Sequence, residues 1–337
     1  MHYVYIRLNK KLKTNKKLKT LTHSTAVWDH LGDAGAAHPA ETPIQTAAML
    51  AANYSHHGMI MPLAFMRPHL SLPASPHADA LAALDIPTAF DSRTAFATCK
   101  ASIAHIRNQG SCGSCWAFAA VESLADRFCI KSGGKVAPTL SAESLIDCDK
   151  SDSGCSGGYL DNAWEGLASR GALAESCDPY EHCAYPPFPN CTNPGLGLTA
   201  PSPPPLSSCP EQCASGSALK WYKAANAYAV GAPGDVAAMQ RELMAHGPFE
   251  VAFFVYPSFY KYTGGIYKKA SNESEPMGGH AVKLVGWGEV DGVPYWTIAN
   301  SWSPMWGDDG FFKSAPASDR HLLARAAPLA QACDLLR

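Results

Sequence analysis

A chain of 337 residues with 47% hydrophobic composition holds enough apolar material for a substantial core and, by length alone, about two domains. A formal net charge of −2 gives no reason to expect nucleic acid or an anionic membrane as the main partner, and the plentiful aromatics with moderate charge argue against a disordered chain. Twelve cysteines are many for a cytosolic enzyme; most are read as disulfides, which places folding in an oxidising compartment. Zinc is the rival reading for Cys112/Cys115 and Cys209/Cys213, but no flanking His/Cys pair completes a zinc-finger spacing, so no metal or other cofactor is expected.

Arg7, Lys10, Lys11, Lys13, Lys16, Lys17 and Lys19 crowd the N-terminus and read as a solvated tail. Residues 1–30 show no apolar signal-peptide core, which conflicts with the disulfides and leads to the expectation that the natural start lies elsewhere. No stretch offers eighteen clean apolar residues, so no membrane span is expected. Residues 1–85, rich in Ala, His, Pro and Met, read as a weakly ordered leader or propeptide. From Ile86 the character changes. Cys115 opens a strong helix pattern, with Ser111 and Ser114 as candidate caps and Gly133-Gly134 as its stop. Further helices are predicted from Ser141 through Ile146, over Leu160 to Ser169, and around Val236 to Ala245. Residues 177–213 carry five cysteines and many prolines, so they read as a stapled insertion. Phe249 to Tyr256, Ala281 to Trp287 and Tyr295 to Ala299 read as strands. Residues 314–337 do not continue the strand pattern.

The chemistry concentrates in Gln109-Gly-Ser-Cys112-Gly-Ser-Cys115-Trp116. A cysteine at a helix start meets unpaired N–H groups and the positive end of the helix dipole, which favour the thiolate, the attacking species. A redox or structural Cys112/Cys115 pair is the alternative. Gly278-Gly279-His280 leads into a strand, so His280 is a candidate base, although a lone histidine there is often structural. Asn300 can orient an imidazole through its amide oxygen, and Trp302 can shield that bond; an ordinary turn is the other reading of Asn300. The Gln109 side-chain NH₂ and the Cys115 backbone N–H can hold a tetrahedral oxyanion, each such donor being worth on the order of 3 kcal/mol.

Ile86-Pro-Thr-Ala-Phe-Asp-Ser-Arg, Asn108 to Phe118, Gly154-Cys-Ser-Gly-Gly-Tyr, Met277-Gly-Gly-His-Ala-Val, Gly286-Trp-Gly, Tyr295 to Trp302 and Trp306 to Phe312 follow in one order. On these motifs the chain resembles the papain-like cysteine proteases, within them the cathepsin B type, over about residues 86–313. His280 follows Cys115 at a longer interval than the roughly 130–150 residues usual in papain relatives, and the Cys-rich block supplies the excess. The resemblance implies an α+β, papain-like two-lobe fold: a helical left lobe over about 86–220, a β-barrel-like right lobe over about 221–313, the active-site cleft between them, and a divergent tail over 314–337. It implies a cysteine-type endopeptidase with catalytic Cys115, His280, Asn300 and Gln109, and Gly157, Gly158 and Trp302 for substrate. Leu160, Ala252 and Ala281 align with the main side-chain pocket, which predicts a hydrophobic residue next to the scissile one; each could equally be core. It also implies the bridges Cys99–Cys129, Cys112–Cys155, Cys148–Cys209, Cys177–Cys213 and Cys183–Cys191, leaving Cys115 free and Cys333 over.

Protein and peptide substrates, cystatin-like inhibitors, a monomeric state and a lysosomal, vacuolar or secreted location follow as expectations. The loop Cys183–Cys191 lacks the two histidines that bind a terminal carboxylate in cathepsin B, and His182 just outside is a poor substitute, so carboxydipeptidase activity is expected to be weak. The residues after Lys313 lack the family's closing strand and its pocket-floor acid, read here as a frame error or retained intron. Asn53, Asn190 and Asn272 stand in glycosylation sequons. The rival classes are a catalytically impaired binding protein and a transpeptidase using the same acyl-enzyme.

Overall fold

The structure, a computed structural model, describes residues 60–67, 71–110, 112–182, 208–232 and 234–315 and the backbone of 331–332. The chain divides into two units, Met1–Tyr54, outside the described residues, and Ser55–Arg337. In the second unit helix α1 spans Cys115–Lys131. It is buried on nearly every side because Ala117, Ala119, Ala120 and Ala125 let neighbours approach closely. It stops where sequence predicted: Gly133 and Gly134 take positive φ, and Gly134 N–H donates to Cys129 O at 2.8 Å. Helices α2 (Glu143–Cys148) and α3 (Leu160–Ser169) pack with α1 in one apolar core with Trp116, Leu145 and Trp164. Helix α4, Val236–His246, is capped by Asp235, whose carboxylate accepts from Ala238 N–H.

The strands are β1 (Phe90–Asp91), β2 (Tyr228–Ala229), β3 (Phe249–Val255), β4 (Ile266–Tyr267), β5 (Gly278–Val290), β6 (Val293–Ala299), β7 (Phe311–Ser314) and β8 (Gln331–Ala332). They form one sheet in the order β2-β8-β3-β5-β6-β7-β4, with β1 on β5. Alternation sorts the central strands: Phe249, Val251, Phe253 and Val255 join Val282 and Leu284 in the sheet's own core, while Ala252 and Ala281 join the helical core. β3 and β5 are therefore covered on both faces, and β5 carries residues that meet α1.

Two segments depart from the sequence reading. Part of the stretch read as a weakly ordered leader is structured: Met61 exchanges two backbone hydrogen bonds with Gly279, at 2.9 and 2.8 Å, and Ala229 N–H donates to Pro73 O. Part of the C-terminal stretch read as continuing no strand is a strand: Gln331 pairs with Glu250 and Ala332 with Tyr228. Among the described residues the disulfides are Cys99–Cys129, Cys112–Cys155, Cys148–Cys209 and Cys177–Cys213. The pairing Cys183–Cys191, Cys333, Asn53 and Asn190 lie outside the described residues.

Candidate active site

Cys115 begins α1 and is a fully buried free thiol. It shares one apolar cluster with Ala281 on β5, and the backbone N–H groups of Ala281, Trp116 and Cys115 act to favour its thiolate. The helix start is therefore aimed at the strand that carries His280. The expected cap at Ser114 does not form: its Oγ is 2.8 Å from Tyr180 Oη and makes no cap bond. The other candidate cap, Ser111, lies outside the described residues. Tyr180, whose hydroxyl also donates to Gln109 O at 2.7 Å, claims that oxygen.

His280 faces Phe253 in the β3–β5 register and is fully buried. Its Nε2 is 2.7 Å from Asn300 Oδ1, and the same oxygen accepts from Ser301 N–H at 2.9 Å. Asn300 N–H donates to Gly310 O at 2.9 Å, which fixes the strand end that presents the amide. Trp302 stacks on His280 with ring centroids 4.7 Å apart and planes at 26°. The other imidazole nitrogen, Nδ1, has no hydrogen-bond partner, so the thiol–imidazole hydrogen bond is not made in this state. Gln109 is held at both ends of its amide: Nε2 donates to Cys112 O at 2.8 Å and Oε1 accepts from Ser301 Oγ at 2.7 Å.

Burial decides the charge state. It pushes the Cys115 thiol up to about 12, against the three backbone donors that pull it down, and pushes His280 down to about 4, against the Asn300 hydrogen bond. The sequence argument for a thiolate at the helix start is correct in sign, but here desolvation outweighs it. What dries this site includes the segment Ile60–Arg67. Met61 and Met66 join the same apolar cluster as Cys115, Leu160, Ala252 and Ala281. A side chain added at Gly279 would collide with Met66, and one at Gly157 with Phe65. Gly157 also takes φ of 115°, which favours glycine. Gly158 abuts the Trp116 indole, which leaves no room for a Cβ and supplies a packing reason for that glycine beside any role toward substrate.

His182 is not at the cleft surface: it is buried, with Nε2 3.0 Å from Glu143 Oε1. It also lies beside the sulfurs of Cys112 and Cys155, but these form a disulfide and offer no thiolate to a metal. A cavity of about 220 Å³ sits away from Cys115 and His280, against Ser102, His105, Glu122, Asp126 and Lys283. Sequence reasoning missed Ser301, which orients Gln109, and Tyr260, whose ring lies parallel to Trp302 at 5.1 Å. Ser301 could have been found from its place between Asn300 and Trp302; Tyr260 carries no local signal.

No helix among the described residues is long and apolar enough to cross a membrane. The pattern of the family described as "Papain family cysteine protease" matches residues 86–329, reaching past residue 313 into the stretch read as a divergent tail. The chain is 45% identical over 245 residues to the Caenorhabditis elegans protein "Cathepsin B-like cysteine proteinase 6", covering 68% of this chain and 62% of that one. It thus spans less than two thirds of that relative's length. It is 40% identical over 266 residues to the "Gut-specific cysteine proteinase" of the same organism, covering 73% and 76%. Among solved structures, "proCathepsin B S9 from Trypanosoma congolense" superposes with a TM-score of 0.69 at 28% identity, over 83% of this chain and 88% of that one. By these matches the chain belongs to the papain family of cysteine proteases and is cathepsin B-like.

Proposed function

We propose that this chain is a cysteine endopeptidase in which Cys115 is the nucleophile and His280 its base, held shut by its own leader. The observation that carries the reading is a free Cys115 at the start of α1, packed in one cluster with Ala281, whose neighbour His280 is already oriented by Asn300. With the leader gone, water reaches the pair, the desolvation cost falls, and the helix-start donors favour thiolate beside imidazolium. The thiolate attacks the peptide carbonyl; the Cys115 N–H and a Gln109 Nε2–H stabilise the oxyanion. The imidazolium protonates the leaving amine, then the imidazole draws a proton from water to release the acyl-enzyme. Trp302 covers the His280–Asn300 bond throughout.

Gly157 and Gly158 are assigned to the substrate backbone, and Leu160, Ala252 and Ala281 to an apolar side-chain pocket. Met61 and Met66 of the leader already lie in the cluster these residues form, which supports a preference for hydrophobic residues there. Endopeptidase action is favoured over trimming of C-terminal dipeptides because His182 is engaged with Glu143 inside the protein. Substrates are proteins and peptides, cystatin-like inhibitors are the expected binding partners, and the compartment is lysosomal, vacuolar or extracellular. The test is hydrolysis of an internally quenched peptide by the full chain after limited proteolysis of the leader. Turnover lost in Cys115→Ala supports the reading; turnover kept in Cys115→Ala defeats it.

A further inference from the structure

The catalytic imidazole rests on a stack of rings that extends beyond Trp302. Tyr260, on the single-turn helix Pro257–Lys261, lies 5.1 Å from Trp302 with planes at 2°. Trp302 in turn stacks on His280 at 4.7 Å. Trp306 meets the Trp302 edge at 5.2 Å, and its own Nε1 donates to Tyr260 O at 3.3 Å. Phe259 closes another edge of Trp302 at 5.4 Å. We infer that Tyr260 is a positioning residue for His280, acting through Trp302.

The physical argument is one of degrees of freedom. An indole that could tilt would lose its parallel contact with the imidazole and admit water to the His280–Asn300 bond. A parallel phenol ring opposes that tilt, since offset stacked rings lose contact when either rotates. The indole face also favours the positive imidazolium over the neutral ring, as cation–π attraction requires the cation to lie over the ring. Holding the indole parallel therefore favours the charged form that protonates the leaving amine.

This inference rests on the reading of His280 as the base. The test uses the full chain activated by limited proteolysis, with Tyr260→Phe and Tyr260→Leu, on two substrates: a peptidyl-coumarin with a small leaving group and an internally quenched peptide spanning the scissile bond. Tyr260→Phe keeps the ring and is expected to hold kcat within about twofold, while Tyr260→Leu loses about tenfold in kcat at unchanged KM on both substrates. Should the Leu variant fail to fold, Tyr260→Met is read the same way. Unchanged kcat in the ring-less variant overturns the inference. So does a rise in KM confined to the longer peptide, since that would make Tyr260 a substrate contact. Absence of turnover in the unsubstituted enzyme would strike the catalytic reading itself, not this extension of it.

Discussion

His280 and Lys283 stand on the same strand, both almost completely buried, and burial treats them in opposite ways. His280 has only a neutral amide for company, so desolvation drives it toward the uncharged form. Lys283 lies 2.8 Å from Asp126 and 3.6 Å from Glu122 on α1, and those carboxylates raise its pKa despite the same desolvation. The lesson is that a dry interior keeps a charge only where it supplies the opposite one. The Lys283 group joins sheet to helix as a permanent ion pair. In the mechanism we propose, the Cys115–His280 pair becomes charged only when its surroundings change.

Substitutions can break each side of that contrast. The largest effect belongs to Cys115→Ala, which should lower turnover by at least about a thousandfold while leaving thermal unfolding nearly unchanged. Next is Lys283→Ala. It strands Asp126 beside a buried Glu122 and should cost about 3–5 kcal/mol of stability, read by denaturant midpoint. A midpoint equal to the parent's would mean the ion pair contributes nothing. Asn300→Ala frees the imidazole to rotate and is expected to lower kcat about a hundredfold with a smaller change in KM.

A gentler probe is pH. Glu122, Glu250, Asp152 and Asp178 all have pKa values raised chiefly by burial, the two aspartates to about 7. Each binds its proton more tightly folded than unfolded, so each makes stability fall as pH rises from the ordinary carboxylate range. His280 and His105, lowered by burial, act the other way, chiefly below about 6.5. From there to pH 8 the remainder of the histidine contribution is smaller than the falling contributions of the four acids. The melting temperature should drop by a few degrees between pH 6.5 and 8, and a flat profile would remove the acids from the account.

Much of this was legible in the sequence, and the reasons differ by residue. The glycine stop after α1, the span of α3 and the strands β3, β5 and β6 follow from local pattern; the structure places them there, with β5 running beyond the predicted Ala281 to Trp287 at both ends and β6 starting before Tyr295. So does the helix start at Cys115. Residues 60–67 were illegible because their order comes from pairing with Gly279 and from burying Met61 and Met66, neither of which leaves a periodic signature. β8 is too short to show a pattern and exists because β2 and β3 offer it hydrogen-bond partners. Ser114 looked like a cap, but a distant Tyr180 takes its hydroxyl. Tyr260 acts only through a ring stack assembled from two separate segments.

The account turns on a thiol that stays neutral and covered until the leader leaves. The direct measurement is the rate of modification of Cys115 by a thiol-directed epoxide, read by mass spectrometry, before and after limited proteolysis of the leader. Slow labelling of the intact chain at pH 8, rising at least about tenfold on cleavage and located at Cys115, is the predicted result. Equal rates before and after cleavage, or a label on another residue, would contradict it.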